Sequence, residues 1–400
     1  MSRRPLLRRG FDRLRPQFRP GGRFAWLQST FEAFETFAYT PATVTRQGAH
    51  VRDAVDMKRS MFTVVTALMP ALLFGMWNIG YQTSLHSADW PYAAGAASFW
   101  PCMWFGLVRL MPMIAVSYGV GLAIEFAFAQ VRRHEVNEGY LVTGLLIPMI
   151  VPVTTPLWQL ALAVAFAVII AKEAFGGTGM NFINPALAAR AFLFFAYPAR
   201  MSGDGVWIAR RMWGADAIAG ATPLGEMASG AARPSASLLE LLAGTVPGST
   251  CETSAVAILA GAALLLLTGV ASWRIMAGVV LGGSLTGLLF NLLALSGAPF
   301  SASAYLHLPF YYHLLTGGFL FGAVFMATDP VTAAQTRTGR WIYGLLTGAF
   351  AIVLRVCNPA YPEGMMLSIL LMNCFAPLID HCVVECNVRR RARRGKEVSQ

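Results

Sequence analysis

Charge is what this chain has least of. Only 13% of its 400 residues are Asp, Glu, Lys or Arg against 56% hydrophobic, with a mean hydropathy of +0.54. So few charges cannot clothe a water-soluble surface, which excludes an ordinary soluble enzyme. The six cysteines (Cys102, Cys251, Cys357, Cys374, Cys382 and Cys386) include no CxxC pair, so neither a zinc ribbon nor a ferredoxin-type cluster is supported. Cys382 and Cys386 fall one helical turn apart and read most simply as small apolar filler. There is no GxGxxG after a strand, no P-loop and no catalytic-triad signature, so the chain is not expected to bind NADH itself. Residues 1–50 lack the apolar stretch of a cleavable signal peptide, and the first span is the expected insertion signal.

What is present is long apolar sequence. Runs of near-spanning length cover about residues 60–81, 111–131, 156–175, 254–271, 275–296, 311–328, 340–356 and 363–380, with two shorter ones at about 139–153 and 185–197. The expectation is an all-α polytopic membrane protein of about ten transmembrane helices. Of the net charge of +11, much sits at the ends, in eight arginines from Arg3 to Arg23 and in Arg389, Arg390, Arg391, Arg393, Arg394 and Lys396. The positive-inside bias places both ends in the cytoplasm, and contact with anionic membrane lipids, rather than with nucleic acid, is the simpler use of these tails. Counting from an inside start leaves Arg132-Arg133, Lys172, Arg274 and Arg337–Arg340 inside and one long hydrophilic connection outside.

The sequence also repeats itself. Thr155-Pro156 and Asn184-Pro185-Ala186 return as Asp329-Pro330 and Asn358-Pro359-Ala360, a shift of about 174 positions that also lays Gly144 on Gly318. The first copy starts inside and the second outside, so the two are read as inverted five-helix repeats with interrupted helices. The expected organisation is a basic cytoplasmic extension (1–59), a first membrane repeat (60–197), an outer loop (198–253), a second repeat (254–386) and a basic cytoplasmic tail (387–400). In the extension, Phe24, Trp26, Leu27, Phe31, Phe34 and Phe37 recur at roughly helical spacing, which fits an amphipathic helix at the membrane or on a partner. Trp90, Pro91, Trp100 and Trp104 mark an outer interfacial segment.

Breaks at membrane depth free backbone groups that only protein or a water-lined cavity can satisfy. Asn181 and Asn184 suit the polar edge of a flat heterocycle and equally suit helix capping before Pro185. Gly176, Gly177 and Gly179 allow close approach of a ligand or a tight turn. Among the acidic residues in or beside the spans (Glu125, Glu138, Glu173, Asp329 and Asp380), Asp329 lies at a break where free carbonyls could help it hold a hard cation. The plain alternative is a salt bridge, such as Lys172 with Glu173. His134 is read as solvated or as a proton relay. In the outer loop, Asp216-Ala217-Ile218-Ala219-Gly220-Ala221-Thr222-Pro223-Leu224 exposes one hydroxyl among small residues, a pattern common in loops.

That last segment resembles the Asp-x-x-Ser/Thr-Gly-Ala-Thr acceptor at which a flavin transferase links FMN to threonine. With Asn137-Glu138-Gly139, Phe175-Gly176-Gly177-Thr178-Gly179, Asn181-Phe182-Ile183-Asn184-Pro185-Ala186-Leu187 and Arg190–Pro198, nearly the whole chain resembles the B subunits of sodium-translocating NADH:quinone reductases. The resemblance implies covalent FMN on Thr222 through a phosphoester, with Asp216, Gly220 and Ala221 completing the acceptor; Ala219 departs from the usual Ser or Thr. It further implies a non-covalent riboflavin and reduction of ubiquinone, with Glu138 and Gly139 in the quinone region. Glu138, Asp329 and Asp380 are implied in Na+ uptake or passage. The implied setting is a six-subunit complex in the bacterial inner membrane, electrons coming from NADH oxidised on another subunit. Two alternatives stay open: the D subunit of the ion-translocating ferredoxin:NAD reductase, and a flavin-free channel or carrier of the same fold.

Overall fold

A computed structural model of the chain describes residues 6–18, 21–24, 28–38, 45, 47–51, 55–86, 98–132, 139–209, 220–295, 304–358 and 361–398. All regular structure among them is helical. At the start, α1 (Leu6–Phe18) and α2 (Gln28–Ala38) fold back on each other. Phe18 stacks on Phe31 with ring centroids 4.6 Å apart, Phe11 meets the same ring edge-on, and Arg15 pairs with Glu35. Of the residues expected to form an aromatic helix, Phe31, Phe34 and Phe37 fall on α2, one arm of a helical pair; Phe24 precedes it, and Trp26 and Leu27 lie outside the described residues. Gln130 donates to the Thr30 hydroxyl at 3.1 Å, tying the pair to a membrane helix.

The remaining elements follow in order: α3 (Met57–His86), α4 (Phe99–Arg132), α5 (Tyr140–Ile150), and α6 (Leu157–Phe166) running on as a π-helical stretch, Ala167–Lys172, and a tight turn, Glu173–Phe175. Next come α7 (Pro185–Ala196) and three short helices, α8 (Pro198–Met201), α9 (Pro223–Ala228) and α10 (Leu238–Ala243). The second part comprises α11 (Ala255–Leu267), α12 (Trp273–Leu295), α13 (Ala304–His307), α14 (Phe310–Leu315), α15 (Phe319–Phe321) continuing as π-helix Gly322–Met326, α16 (Arg337–Cys357) and α17 (Met365–Val398).

Among the described residues, six helices are long and apolar enough to cross a membrane: α3, α4, α6 with its extension, α12, α16 and α17. By contrast α5, α7 and α11 have 11, 12 and 13 residues, about 16–20 Å at 1.5 Å per residue, short of a hydrocarbon core of about 30 Å. The run predicted over 311–328 is divided among α14, α15 and the π-helical segment. Hydropathy sees apolar composition; it does not see that Gly317 and Gly318 adopt left-handed backbone (φ 58° and 59°), which stops α14. Ten apolar segments thus correspond to six long helices and a set of short ones.

The short helices end inside protein, and their loose carbonyls are satisfied there. At the close of α5, Met149 O accepts from Cys251 N at 3.0 Å, Ile150 O from the Arg190 guanidinium, and Val151 O from Thr250 N at 3.3 Å. Arg355 of α16, with no exposed surface, does the same for the α14 break. It donates to His313 O (2.6 Å), Thr316 O (3.1 Å) and Oγ1 (3.2 Å), Pro362 O (3.0 Å) and Glu363 O (3.2 Å). Orphan carbonyls at a helix end need such partners where water is absent. The predicted second Asn-Pro-Ala break closes α16 at Asn358, whose N–H donates to Leu354 O at 2.9 Å; Pro359 and Ala360 lie outside the described residues.

Small residues let α12 and α16 pack closely. Gly278 and Gly282 of α12 face Gly344 and Gly348 of α16, and a Cβ on Gly282 would lie 2.1 Å from Leu345 O. Two such one-turn glycine pairs let backbones touch, the packing that replaces a hydrophobic drive inside lipid.

Candidate functional site

Two of the cavities among the described residues lie at the helix breaks. The inner one, about 110 Å³, is walled by the breaks: Gly139 ahead of α5, Lys172 and Thr178 after α6, Asn181, Asn184 and Pro185 leading into α7, and Asp329, Pro330 and Val331 after α15. Asn184 accepts through Oδ1 from Ala186 N (2.9 Å) and Leu187 N (3.3 Å), so it caps α7 with Pro185 in the first turn. Its Nδ2 faces the other way and donates to Asp329 Oδ2 at 3.4 Å. Capping and ligand contact are thus open to one side chain. Asn181 braces the preceding loop, accepting from Gly179 N (3.3 Å) and donating to Ile183 O (3.1 Å).

Asp329 accepts from Val331 N (3.2 Å) and the Thr332 hydroxyl (2.9 Å) as well, and among the described residues it has no ion pair. Oxygen ligands with an unneutralised carboxylate suit a hard cation. The Thr178 hydroxyl, in the same wall, is buried with no hydrogen-bond partner. Such an orphan calls for a polar ligand, and beside two amides it fits the edge of a flavin.

The expected salt bridge between Lys172 and Glu173 does not form. Lys172 pairs instead with Glu125 of α4, both 4% exposed, and Glu173 pairs with Arg132 at 3.0 Å. Consecutive residues point about 100° apart around a helix, so sequence neighbours are poor partners. Gly176 and Gly177 have φ of 115° and 94° and form the turn that follows; neither lines the cavity. Asp380 lies outside it too. Its carboxylate accepts from Gln335 N (2.6 Å), Thr336 N (3.0 Å) and the Thr336 hydroxyl (2.6 Å), holding the turn into α16. Glu138 and His134 are outside the described residues.

The outer cavity, about 380 Å³, holds Thr222 in its wall, with Trp207, Leu224, Phe194 and Tyr361 as apolar faces. Thr222 is the N-cap of α9, accepting from Gly225 N at 3.0 Å, with Pro223 next. Gly220 is buried and donates to Asp204 O at 2.9 Å, Ala221 is half-buried, and Asp216 and Ala219 fall outside the described residues. The size is that of a small-cofactor pocket, and a hydroxyl among aromatic faces fits a ring tethered at Thr222.

The same wall holds a charge cluster that the sequence reading missed. Arg190 of α7, 2% exposed, donates to Glu252 Oε1 (3.0 Å) and Ser249 Oγ (3.3 Å) and pairs with Glu363. Two carboxylates thus share one guanidinium, and burial pushes Glu252, in the loop ahead of α11, up to about 7 despite Arg190. The available signal was Arg190 alone, a charge inside the apolar run 185–197; Glu252 falls in the hydrophilic connection.

Long apolar helices together with shorter ones that break at two cavities define the class, a polytopic all-helical membrane protein. The family follows from comparison: residues 44–389 match the NQR2, RnfD, RnfE family, and the chain belongs to it. It is 46% identical over 411 residues to a protein of Azotobacter vinelandii, covering 98% of this chain and 100% of that one. It is also 46% identical to proteins of Ectopseudomonas mendocina, over 97% and 99% of the two chains, and of Klebsiella pneumoniae, over 96% and 98%. All three are named as the B subunit of Na(+)-translocating NADH-quinone reductase.

Proposed function

We propose that this chain is the flavin-bearing membrane component of a sodium-pumping NADH:ubiquinone oxidoreductase, the B subunit in a bacterial inner-membrane complex of several chains. Identity across nearly the whole of several B subunits supports it. The observation that carries the flavin is the Thr222 hydroxyl in the wall of a cavity of cofactor size. On this reading Thr222 carries FMN as a phosphoester, with Asp216, Gly220 and Ala221 as the rest of the acceptor. Asn181, Asn184 and the unpartnered Thr178 hold the polar edge of riboflavin in the inner cavity, while Gly176 and Gly177 shape its approach. The bound flavins supply the one- and two-electron chemistry that no side chain here offers.

Residues 60–197 and 254–386 act as two inverted halves of five apolar segments, joined by the outer loop and flanked by cytoplasmic ends. Asp329 is the cation ligand, and Asp380, by fixing the turn that follows Asp329, controls the route together with Glu138. Glu138 and Gly139 form the place where the ubiquinone head group arrives from the lipid. The experiment is Thr222→Val in the native host. The denatured band of that variant should lose its in-gel flavin fluorescence while the chain still inserts; persistent fluorescence means the attachment site is wrong. Quinone-dependent NADH oxidation by the purified complex separates this reading from the ferredoxin-linked relative.

A further inference from the structure

Lys172 is an expensive residue where it stands. It is 3% exposed, sits on the π-helical stretch that ends α6, and lines the inner cavity. Glu125 takes one of its three N–H donors, and the ring of Tyr140 lies 5.6 Å from Nζ, its hydroxyl donating to Ser117 O at 2.9 Å. Burying such a pair is weak evidence for stability, since apolar residues of the same volume often do as well. A π-helical turn also costs regular hydrogen bonding and is frequent at functional sites. Glu125 holds the ammonium from behind; Glu125 itself is not in the cavity wall, whereas Lys172 is.

From this geometry, and resting on the reading of the inner cavity as the non-covalent flavin site, we infer that Lys172 is the positioned cation that sets the redox potential of the flavin held there, with Glu125 as its attenuator. A fixed positive charge beside the ring favours the electron-rich reduced form, and a low-dielectric wall makes that charge felt. Glu125 orients the ammonium and cancels part of its field. Lys172 and Glu125 must therefore shift the potential in opposite senses.

The test uses the purified complex with Lys172→Met, Lys172→Arg or Glu125→Gln, and an Asn181→Ala/Asn184→Ala control. Two quantities are read: flavin released on denaturation, and the midpoint potential of that flavin by optical reductive titration. Lys172→Met should lower the reduced-to-oxidised ratio at a fixed potential at least tenfold, about 30 mV for a two-electron couple. Glu125→Gln should raise the ratio, and Lys172→Arg should stay within about threefold of the parent. A purely structural pair would move Lys172→Met and Glu125→Gln alike or leave both unmoved, and either result overturns the assignment. If the asparagine control keeps its full releasable flavin, the cavity is not the flavin site and the proposal falls with that reading; loss of flavin there with a potential indifferent to Lys172 refutes the lysine's role alone.

Discussion

Arg190→Met should be among the most damaging single changes in the chain, and its pH dependence should identify the cause. The guanidinium bridges Glu252 and Glu363 and caps Ile150 O, so a methionine in its place leaves two carboxylates and a carbonyl without that partner. Removing one member of a buried pair costs about 3–5 kcal/mol, a factor of roughly 10² to 4 × 10³ in the population of the native form. The sign with pH follows from Glu252. Its folded value of about 7 lies above the ordinary carboxylate value of 4.5, so between these limits the native state binds more protons than the unfolded one. Stability from this group falls as pH rises through that window. Without Arg190 the charged form is less favourable still, so the variant should lose most at pH 8 and least near pH 5. Heat inactivation of the detergent-solubilised complex at several pH values measures this, and Arg190→Met/Glu252→Gln/Glu363→Gln should recover most of the loss. A triple variant as fragile as the single, or a single variant indifferent to pH, refutes the charge-balance reasoning.

Gly282→Leu should prevent α12 and α16 from closing, costing at least the roughly 1–3 kcal/mol of overpacking and lowering the yield of assembled complex, because the first added carbon already meets Leu345 O. Asn184→Ala should destabilise by about 1 kcal/mol through the lost cap of α7, and should also weaken Na+ activation, read as a higher Na+ requirement for turnover. Asp380→Asn should raise the Na+ concentration for half-maximal turnover by loosening the turn into α16; an unchanged requirement removes Asp380 from the cation route.

Much of the fold is legible because proline and glycine punctuate apolar sequence. Pro156, Pro185 and Pro330 each stand at a helix boundary or turn, as their chemistry demands. Span counting goes further than continuity allows, since composition is blind to the left-handed glycines after α14. Candidate residues are legible singly, their grouping much less so. Asn184 and Asp329 belong to separate copies of the repeat and suggest separate ligands, yet they touch across 145 positions of sequence. Arg190, Glu252 and Glu363 do not stand out as a group at all; three charges brought together from distant segments leave no local pattern. Lys172 finds a different glutamate from its neighbour in the chain because adjacency in sequence is not adjacency on a helix.

The length of α7 has a consequence of its own. Asn184 at its tip lines the inner cavity and Arg190 lines the outer one, so about six residues, or about 9 Å of helix, separate the two. On the proposed topology these cavities open to opposite sides. Were both cavities filled with water, an energised membrane would drop its voltage across that thin septum instead of about 30 Å of hydrocarbon, a field roughly three times steeper. An ion would cross the work of about 2.3 kcal/mol per 100 mV within a single step past one short helix, which makes α7 the dielectric of a molecular capacitor.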